Sequence, residues 1–135
     1  MATRLNPYVN FQDDARAAME FYRSVLGGEL TISTFGDVGQ TEKPLADLVM
    51  HAQLETPAGF TLMASDTPPG MAHLAGTNVS ISLSGDDEEA LNGYWRGLVQ
   101  GGTINVPLEA QMWGATFGAC TDRFGIHWMV NIGGE

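Results

Sequence analysis

Apolar residues recur at helical spacing in two segments of the chain. In residues 13–28, DDARAAMEFYRSVLGG, small and apolar side chains form one stripe between an acidic start and a Gly-Gly pair. Asp13 or Asp14 is suited to cap a helix, and glycine is suited to end one. Residues 86–102, DDEEALNGYWRGLVQGG, repeat this design. The pattern predicts two amphipathic helices, each covering one face of a sheet.

Alternating apolar and polar residues predict strands around each helix. The predicted strands and hairpins lie at 5–10, 29–35 and 51–65 in the first half, and at 78–84, 103–109 and 117–131 in the second. Segments 51–65 and 117–131 align without a gap, which matches Met63 to Met129. Both halves therefore have the order βαβββ, and we predict an α+β fold. The prediction is one domain over 1–135, with modules at 1–66 and 77–135 and a linker at 67–76.

Polar residues are expected on the sheet face that the helices leave uncovered. In residues 78–84, alternation separates Val79, Ile81 and Leu83 from the serines, and the apolar set is expected to meet a helix. Residues 5–10 divide in the same way. Two half-sheets that curve toward one another would enclose a wet cavity, which is the predicted ligand site. The predicted ligand-binding residues are Asn6, Tyr8, Asn10, Met63, Asn78, Ser80, Ser82, Trp113, His127 and Met129.

Charge and composition limit the partners that we expect. The chain has 16 acidic and 6 basic residues, a formal charge of −10, and no basic run, which argues against nucleic acid and anionic membranes as partners. Neither a secretion signal nor an apolar stretch of about 18 residues is evident, so we expect a cytoplasmic protein. Cys120 is the only cysteine, and its apolar setting favours a buried residue over a reactive thiol.

The sequence resembles the vicinal oxygen chelate superfamily, the glyoxalase, bleomycin-resistance and extradiol-dioxygenase fold, and within it the PhnB-like branch. The matching segments are PYVNF (7–11), AMEFYRSVLGGEL (18–30), HAQL (51–54), LMASDTPPG (62–70) and TDRFGIHWMVN (121–131). The resemblance implies paired βαβββ modules that form a curved mixed sheet around a cavity, with the helices outside, and it implies a homodimer. This fold hosts enzymes and drug-sequestering proteins alike, so it implies no single reaction.

The metal-dependent members implied by this resemblance take His or Glu from the first strand and Glu from the last strand of each module. The matching positions here fall on or next to Asn6 and Asn78, and on Met63 and Met129. Carboxamides and thioethers carry no negative charge and suit a hard or borderline divalent ion poorly. We therefore predict no metal ligands and no cofactor, and a divalent metal is the disfavoured alternative.

His51 is the main candidate for acid–base chemistry. Alternation places it on one strand face with Gln53 and Glu55, and an imidazole near a carboxylate suits a general base, although an exposed polar position explains it equally well. Asp66 is the second catalytic candidate, as an acid or ligand, or else as the cap of a turn. His127 is either a substrate contact or a hydrogen-bonded histidine at the rim.

Two further features leave alternatives open. Trp113 is either an aromatic wall of the site or packs in a core or dimer contact. Segment 35–50 lacks clear periodicity and forms either a lid or a loop.

The sequence thus predicts a protein that binds a small organic molecule in the sheet cavity without the usual divalent-metal chelate. The alternative is a metal-dependent lyase, isomerase or dioxygenase with relocated ligands at His51, Glu55 and Asp66, so whether the protein is an enzyme stays open. A methyltransferase, a label often given to the PhnB-like branch, is disfavoured because no Gly-rich first turn of a doubly wound sheet is encoded.

Overall fold

The computed structural model describes residues 3–133. The chain divides into two compact units, Met1–Ala75 and Gly76–Glu135, and the boundary falls within the predicted linker. The two units have the same order of elements, as the internal repeat predicts. Neither α-helix of the described residues is long and apolar enough to cross a membrane.

The first unit is a four-stranded mixed sheet with one helix. Its elements are β1 (Tyr8–Phe11), α1 (Ala15–Leu26), β2 (Glu29–Thr34), β3 (Val49–Glu55) and β4 (Thr61–Asp66). The strand order is β1-β4-β3-β2, with β1 parallel to β4 and the other pairs antiparallel. Segment 35–50 contains two short 3-10 helices, Gly36–Val38 and Leu45–Asp47, before β3 begins.

The second unit repeats this topology strand for strand. Its elements are β5 (Ile81–Gly85), α2 (Glu88–Leu98), β6 (Thr103–Ala110), β7 (Thr116–Thr121) and β8 (His127–Ile132). The strand order is β5-β8-β7-β6, again with one parallel pair, β5 and β8. The predicted α+β class with two βαβββ modules is confirmed.

Each helix buries its apolar stripe on one side of the sheet of its own unit. Helix α1 packs across β2, β3 and β4 and buries Met19 and Tyr22 completely. Helix α2 packs on β5 and β8 and buries Leu91, Trp95 and Leu98. Burial of a side chain of this size stabilises a fold by about 1.5–3 kcal/mol. We call the opposite surface of each sheet, turned away from the helix of the same unit, its far face.

The second glycine of each Gly-Gly pair lies against a strand carbonyl. A Cβ at Gly28, where φ is +105°, would stand 2.1 Å from the Glu55 oxygen, and a Cβ at Gly102 would stand 2.3 Å from the Thr121 oxygen. Glu55 and Thr121 occupy equivalent places in the repeat, so the same close approach has been kept in both modules. Only glycine fits at such a distance.

Strands β1 and β5 begin later than the sequence pattern predicts. Pro7 has no N–H with which to continue the ladder, and the paired residues of β1 begin at Tyr8. Strand β5 begins at Ile81 because its partner β8 begins only at His127. Leu5 and Val79 are therefore 99% and 72% exposed, and the prediction that they face a helix is wrong.

The start of α1 is capped by a residue that is distant in sequence. Asp14 occupies the N-cap position but makes no side-chain cap, and Asp13 lies outside the helix with φ +71°. Instead, the Ala15 N–H donates to Asp66 Oδ1 at 2.9 Å. Helix α2 has a local cap, since Asp87 accepts from the Ala90 N–H at 3.1 Å.

Candidate functional site

The far face of the first sheet carries aromatic, polar and thioether side chains from three strands. The register of β1, β4 and β3 places Tyr8 beside Met63, and Met63 beside Gln53. Because side chains alternate along a strand, His51 and Glu55 share this face with Gln53. Three residues of the predicted site, Tyr8, His51 and Met63, are therefore brought together.

A continuous hydrogen-bonded chain runs along this face. The Tyr8 hydroxyl reaches across β4 to lie 3.3 Å from His51 Nδ1, and the two rings are tilted with centroids 5.7 Å apart. His51 Nε2 lies 3.2 Å from Gln53 Oε1, and Gln53 Nε2 donates to Glu55 Oε2. We call Tyr8, His51, Gln53 and Glu55 the polar chain. It links an aromatic hydroxyl to a carboxylate through an imidazole and a carboxamide.

The carboxylate end of the polar chain is held by two donors and a cation. Glu55 accepts from Gln53 and from the Thr61 hydroxyl, the latter at 2.8 Å, and Arg4 lies 3.7 Å from its Oε1. These hydrogen bonds, with that from Gln53 the largest, and the Arg4 charge lower the pKa of the Glu55 carboxyl below its usual value. Glu55 is therefore an anion that only accepts hydrogen bonds.

The hydroxyl end of the polar chain is accessible. Tyr8 is 47% exposed, whereas His51, Gln53 and Met63 are half-buried. Asn10 is exposed on the same strand and accepts from the Ser65 hydroxyl at 3.3 Å. The surface around Tyr8 thus combines an aromatic ring, a thioether and polar groups, a composition typical of sites for small organic molecules.

The far face of the second sheet carries a different set of residues. Ser82 pairs with Met129, and His127 lies on the same face two residues earlier in β8. The Thr121 hydroxyl donates to Asn105 Oδ1 at 3.0 Å and lies 3.0 Å from His127 Nδ1. The hydrogen-bonded alternative for His127 is thus compatible with the structure, while its contact with a substrate stays a prediction.

Trp113 lies in the turn between β6 and β7. It is 62% exposed, and its ring contacts Phe117 with a centroid distance of 6.3 Å. Phe117 belongs to the far face of the second sheet, because the adjacent Gly118 faces Trp95 of α2. This placement favours the aromatic-wall interpretation over packing in the core of its own unit.

Asp66 lies on the helix side of its sheet, away from the polar chain. It is 4% exposed, and its two oxygens accept from the Ala15 and Val49 N–H groups, both at 2.9 Å. These bonds occupy the carboxylate with backbone donors and favour the capping interpretation over an acid or ligand.

Four predicted binding residues lie outside the strands, namely Trp113 in the turn described above and three residues that precede a strand. Asn6 precedes β1 and is half-buried, while Asn78 and Ser80 precede β5 and are exposed. Tyr8 and Ser82 take the strand positions beside the two methionines instead. The expected polar rows are therefore shorter than the sequence suggests, and their ligand-binding role stays a prediction.

The residues at the expected metal positions do not fit a divalent chelate. Asn6, Asn78, Met63 and Met129 provide amides and thioethers, and the strand residues Tyr8 and Ser82 add only hydroxyls. Within residues 3–133, no group of three or more His, Cys, Asp or Glu side chains is placed to hold a metal ion. The relocated set does not converge either, because Asp66 and His51 lie on opposite faces of the sheet.

Sequence reasoning missed the roles of Gln53, Arg4 and Thr61 in this site. Alternation in HAQLE already places Gln53 between His51 and Glu55 on one face, so a signal was present. The alternation does not reveal the strand order, which brings Tyr8 to His51. It also does not reveal the path of the residues before β1, which brings Arg4 to Glu55.

One family model matches nearly the whole chain. Residues 4–130 match the family model of the Glyoxalase/Bleomycin resistance protein/Dioxygenase superfamily. The chain is 28% identical to Protein YjdN of Escherichia coli strain K12 over 141 residues, covering 95% of this chain and 94% of that protein.

Two solved structures are similar over nearly their whole length. Protein PA1353 from Pseudomonas aeruginosa is 36% identical with a TM-score of 0.86, covering 97% of this chain and 98% of that one. A PhnB protein from Bacillus cereus is 21% identical with a TM-score of 0.77, covering 97% and 100%. The second likeness shows the fold alone.

Proposed function

Because the chain belongs to the Glyoxalase/Bleomycin resistance protein/Dioxygenase superfamily, we propose that it binds a small organic molecule on the far face of its first sheet. In this proposal the ligand contacts Tyr8 and Met63, and no divalent-metal chelate takes part. The observation that carries the proposal is the polar chain, which ends at the exposed hydroxyl of Tyr8, on a ring that lies beside Met63.

The arrangement of the polar chain supports binding. Folding has placed a half-buried imidazole, a half-buried carboxamide and an exposed carboxylate on a surface that the helix of the unit does not cover. Polar groups that are already held by one another lose little freedom when a ligand arrives, and preorganisation of this kind favours affinity. An exposed strand face that served only solubility would not need an ordered series of four side chains.

The donor set supports the absence of a chelate. An imidazole or carboxylate ligand would be needed at several converging positions, and the residues at those positions are amides, hydroxyls and thioethers. Metal analysis of protein purified without added metal tests this part of the proposal. Near-stoichiometric nickel, zinc, iron or manganese, lost in His51→Ala, would overturn it.

A thermal-shift screen of neutral, cationic and anionic aromatic molecules tests binding. A ligand at one hundred times its Kd stabilises the native state by roughly 3 kcal/mol, which raises Tm by several degrees. Tyr8→Ala removes the exposed ring and hydroxyl, so we expect the shift to disappear. Phe60→Ala is the matched control, because Phe60 is an exposed ring in the hairpin turn of the same unit.

Two results would contradict the proposed site. The first is the absence of any shift across the screen, and the second is a shift that Tyr8→Ala leaves unchanged. Loss of the shift in both variants would indicate a general loss of stability, and unfolding curves without ligand identify that case. A shift lost in Tyr8→Ala alone supports the site.

A further inference from the structure

We propose that Glu55 fixes the direction of every hydrogen bond in the polar chain, so that the Tyr8 hydroxyl presents lone pairs and selects ligands that donate an N–H or O–H. This inference rests on the proposed function and names the ligand class. Tyr8 is the contact residue in this proposal, while His51, Gln53 and Glu55 position its proton.

The direction is set at the carboxylate. Glu55 accepts from Gln53 Nε2 and from Thr61 Oγ1, and an ionised carboxylate has no proton to donate. The carboxamide of Gln53 must therefore turn its NH₂ group toward Glu55. Its oxygen, Oε1, then faces His51 Nε2 at 3.2 Å.

The imidazole transmits this direction to Tyr8. Because Gln53 Oε1 only accepts, the proton of a neutral His51 lies on Nε2, and Nδ1 keeps its lone pair. Nδ1 faces the Tyr8 hydroxyl at 3.3 Å, so Tyr8 donates its only proton to His51. The remaining lone pairs of the Tyr8 oxygen point to solvent and accept from a ligand.

The charges around the polar chain disfavour an anionic ligand. Glu55 carries a negative charge, and the Arg4 guanidinium beside it is engaged by Thr61 and Glu55. The protein as a whole has a formal charge of −10. The ligand is therefore a neutral or cationic molecule, such as a phenol or an amine, whose donor group meets Tyr8.

The second unit contains a natural reference with the opposite proton position. The Thr121 hydroxyl donates its proton to Asn105, so it accepts from His127, whose proton must lie on Nδ1. His73 has the same arrangement, because the Thr67 hydroxyl donates to the Phe11 carbonyl and lies 3.2 Å from His73 Nδ1. The three histidines of the chain are thus expected to show two different tautomers.

Nitrogen-15 NMR of the imidazoles tests the direction without any ligand. Protonated and unprotonated ring nitrogens have well separated shifts, so one long-range proton–nitrogen spectrum at alkaline pH reports all three tautomers. We expect His51 to carry its proton on Nε2, and His73 and His127 on Nδ1. Glu55→Gln removes the fixed acceptor, so we expect both tautomers of His51 and no change at His127. A proton on His51 Nδ1 in the unmodified protein would overturn the inference.

Matched aromatic probes test the ligand class. We expect para-cresol to bind about three- to ten-fold more tightly than its methyl ether, the effect of one neutral hydrogen bond, and para-toluate not to bind measurably. Tyr8→Phe removes the accepting hydroxyl, so the ratio of the Kd of the methyl ether to the Kd of para-cresol should fall close to one. His51→Ala frees the Tyr8 proton, so it should lower or reverse the ratio. Tyr94→Phe, on helix α2, is the matched control and should leave the ratio unchanged.

The two tests separate failure of the inference from failure of the proposed function. Binding of para-cresol with the ratio unaffected by Tyr8→Phe would overturn the ligand class and keep binding. The same holds if the methyl ether binds more tightly. If none of the three probes binds but the thermal-shift screen finds another ligand whose shift requires Tyr8, the ligand class fails and the proposed function stands; if the screen also finds no ligand, both fail.

Discussion

Substitution of Asp66 tests whether this buried carboxylate caps backbone N–H groups or acts as an acid or ligand. Its two oxygens accept from the Ala15 and Val49 N–H groups, which tie the start of α1 and the start of β3 to the end of β4. Asp66→Ala removes both acceptors and leaves two buried donors unsatisfied. Asp66→Asn keeps one acceptor and presents an amide N–H to the other donor.

The expected cost follows from these two bonds. A hydrogen bond to a charged group contributes about 1.5–3 kcal/mol, and a buried donor without a partner costs a similar amount. Asp66→Ala should therefore lower the free energy of unfolding by about 4 kcal/mol, and Asp66→Asn by about 2 kcal/mol. Asp87→Ala removes one exposed cap from α2, so it should cost about 1 kcal/mol and serves as the matched control.

Urea unfolding followed by circular dichroism measures these differences. With an m value of about 1.5 kcal/mol per molar, Asp66→Ala should lower the midpoint by roughly 2–3 M. Native-state hydrogen exchange should be faster at Ala15 and Val49 in particular. If Asp66→Ala does not fold, the Asn variant carries the comparison. A change below about 0.5 kcal/mol with an unchanged m value would refute the capping role and return Asp66 to the catalytic candidates.

Three further predictions concern stability and pH. Gly28→Ala should lower the free energy of unfolding, measured with urea, by about 3–5 kcal/mol because its Cβ meets the Glu55 carbonyl. Gly59→Ala, with φ +95° and no atom within 4 Å of the Cβ, should lower it by only about 1 kcal/mol. Equal losses in the two variants would contradict this reasoning. Burial, and secondarily the charge of a nearby aspartate, raises the pKa of Cys120 from 9.0 to about 11. The unfolded thiol thus ionises first, so the free energy of unfolding should fall between about pH 9 and pH 11, and a thiol reagent should label the protein only when it is unfolded; rapid native labelling would contradict the burial. Desolvation raises the pKa of Asp14 above 3.8, so its charge opposes folding at neutral pH. Asp14→Asn should therefore raise Tm slightly at pH 7 and lose this gain as the pH falls through the raised native pKa toward 3.8, below which both states are protonated; a gain that persists there would refute the electrostatic cause.

Much of the fold was predictable because local patterns and the internal repeat agree. The helical stripes predicted α1 and α2, and alternation with turn glycines predicted β3, β4, β7 and β8. The starts of β1 and β5 were not predictable from local patterns, because a strand extends only as far as it has a neighbouring strand and backbone N–H groups to pair with it. Leu5 and Val79 fit the alternation of a strand, yet they have no strand opposite them.

The sequence predicted which residues share the candidate site better than it predicted which of them are in contact. Alternation placed His51, Gln53 and Glu55 on one face, and the polar row included Tyr8. The contact of Tyr8 with His51 depends on the order β1-β4-β3, which no local pattern encodes. The cap that Asp66 provides joins residues 51 positions apart, so the local signal pointed to Asp13 and Asp14 instead.

The repeat also shows on which side of the sheet the two modules differ most. Apart from Asp66, whose counterpart is Ile132, the equivalent helix-side positions of these strands are small or apolar in both modules, as in Ala64 and Val130, whereas His51 and Glu55 on the far face correspond to Phe117 and Thr121. The two modules thus share one interior pattern and carry different side chains on their far faces. For protein engineering, we expect that far-face residues of the first module can be transplanted to the equivalent positions of the second, because the core beneath the helix does not use the residues to be exchanged.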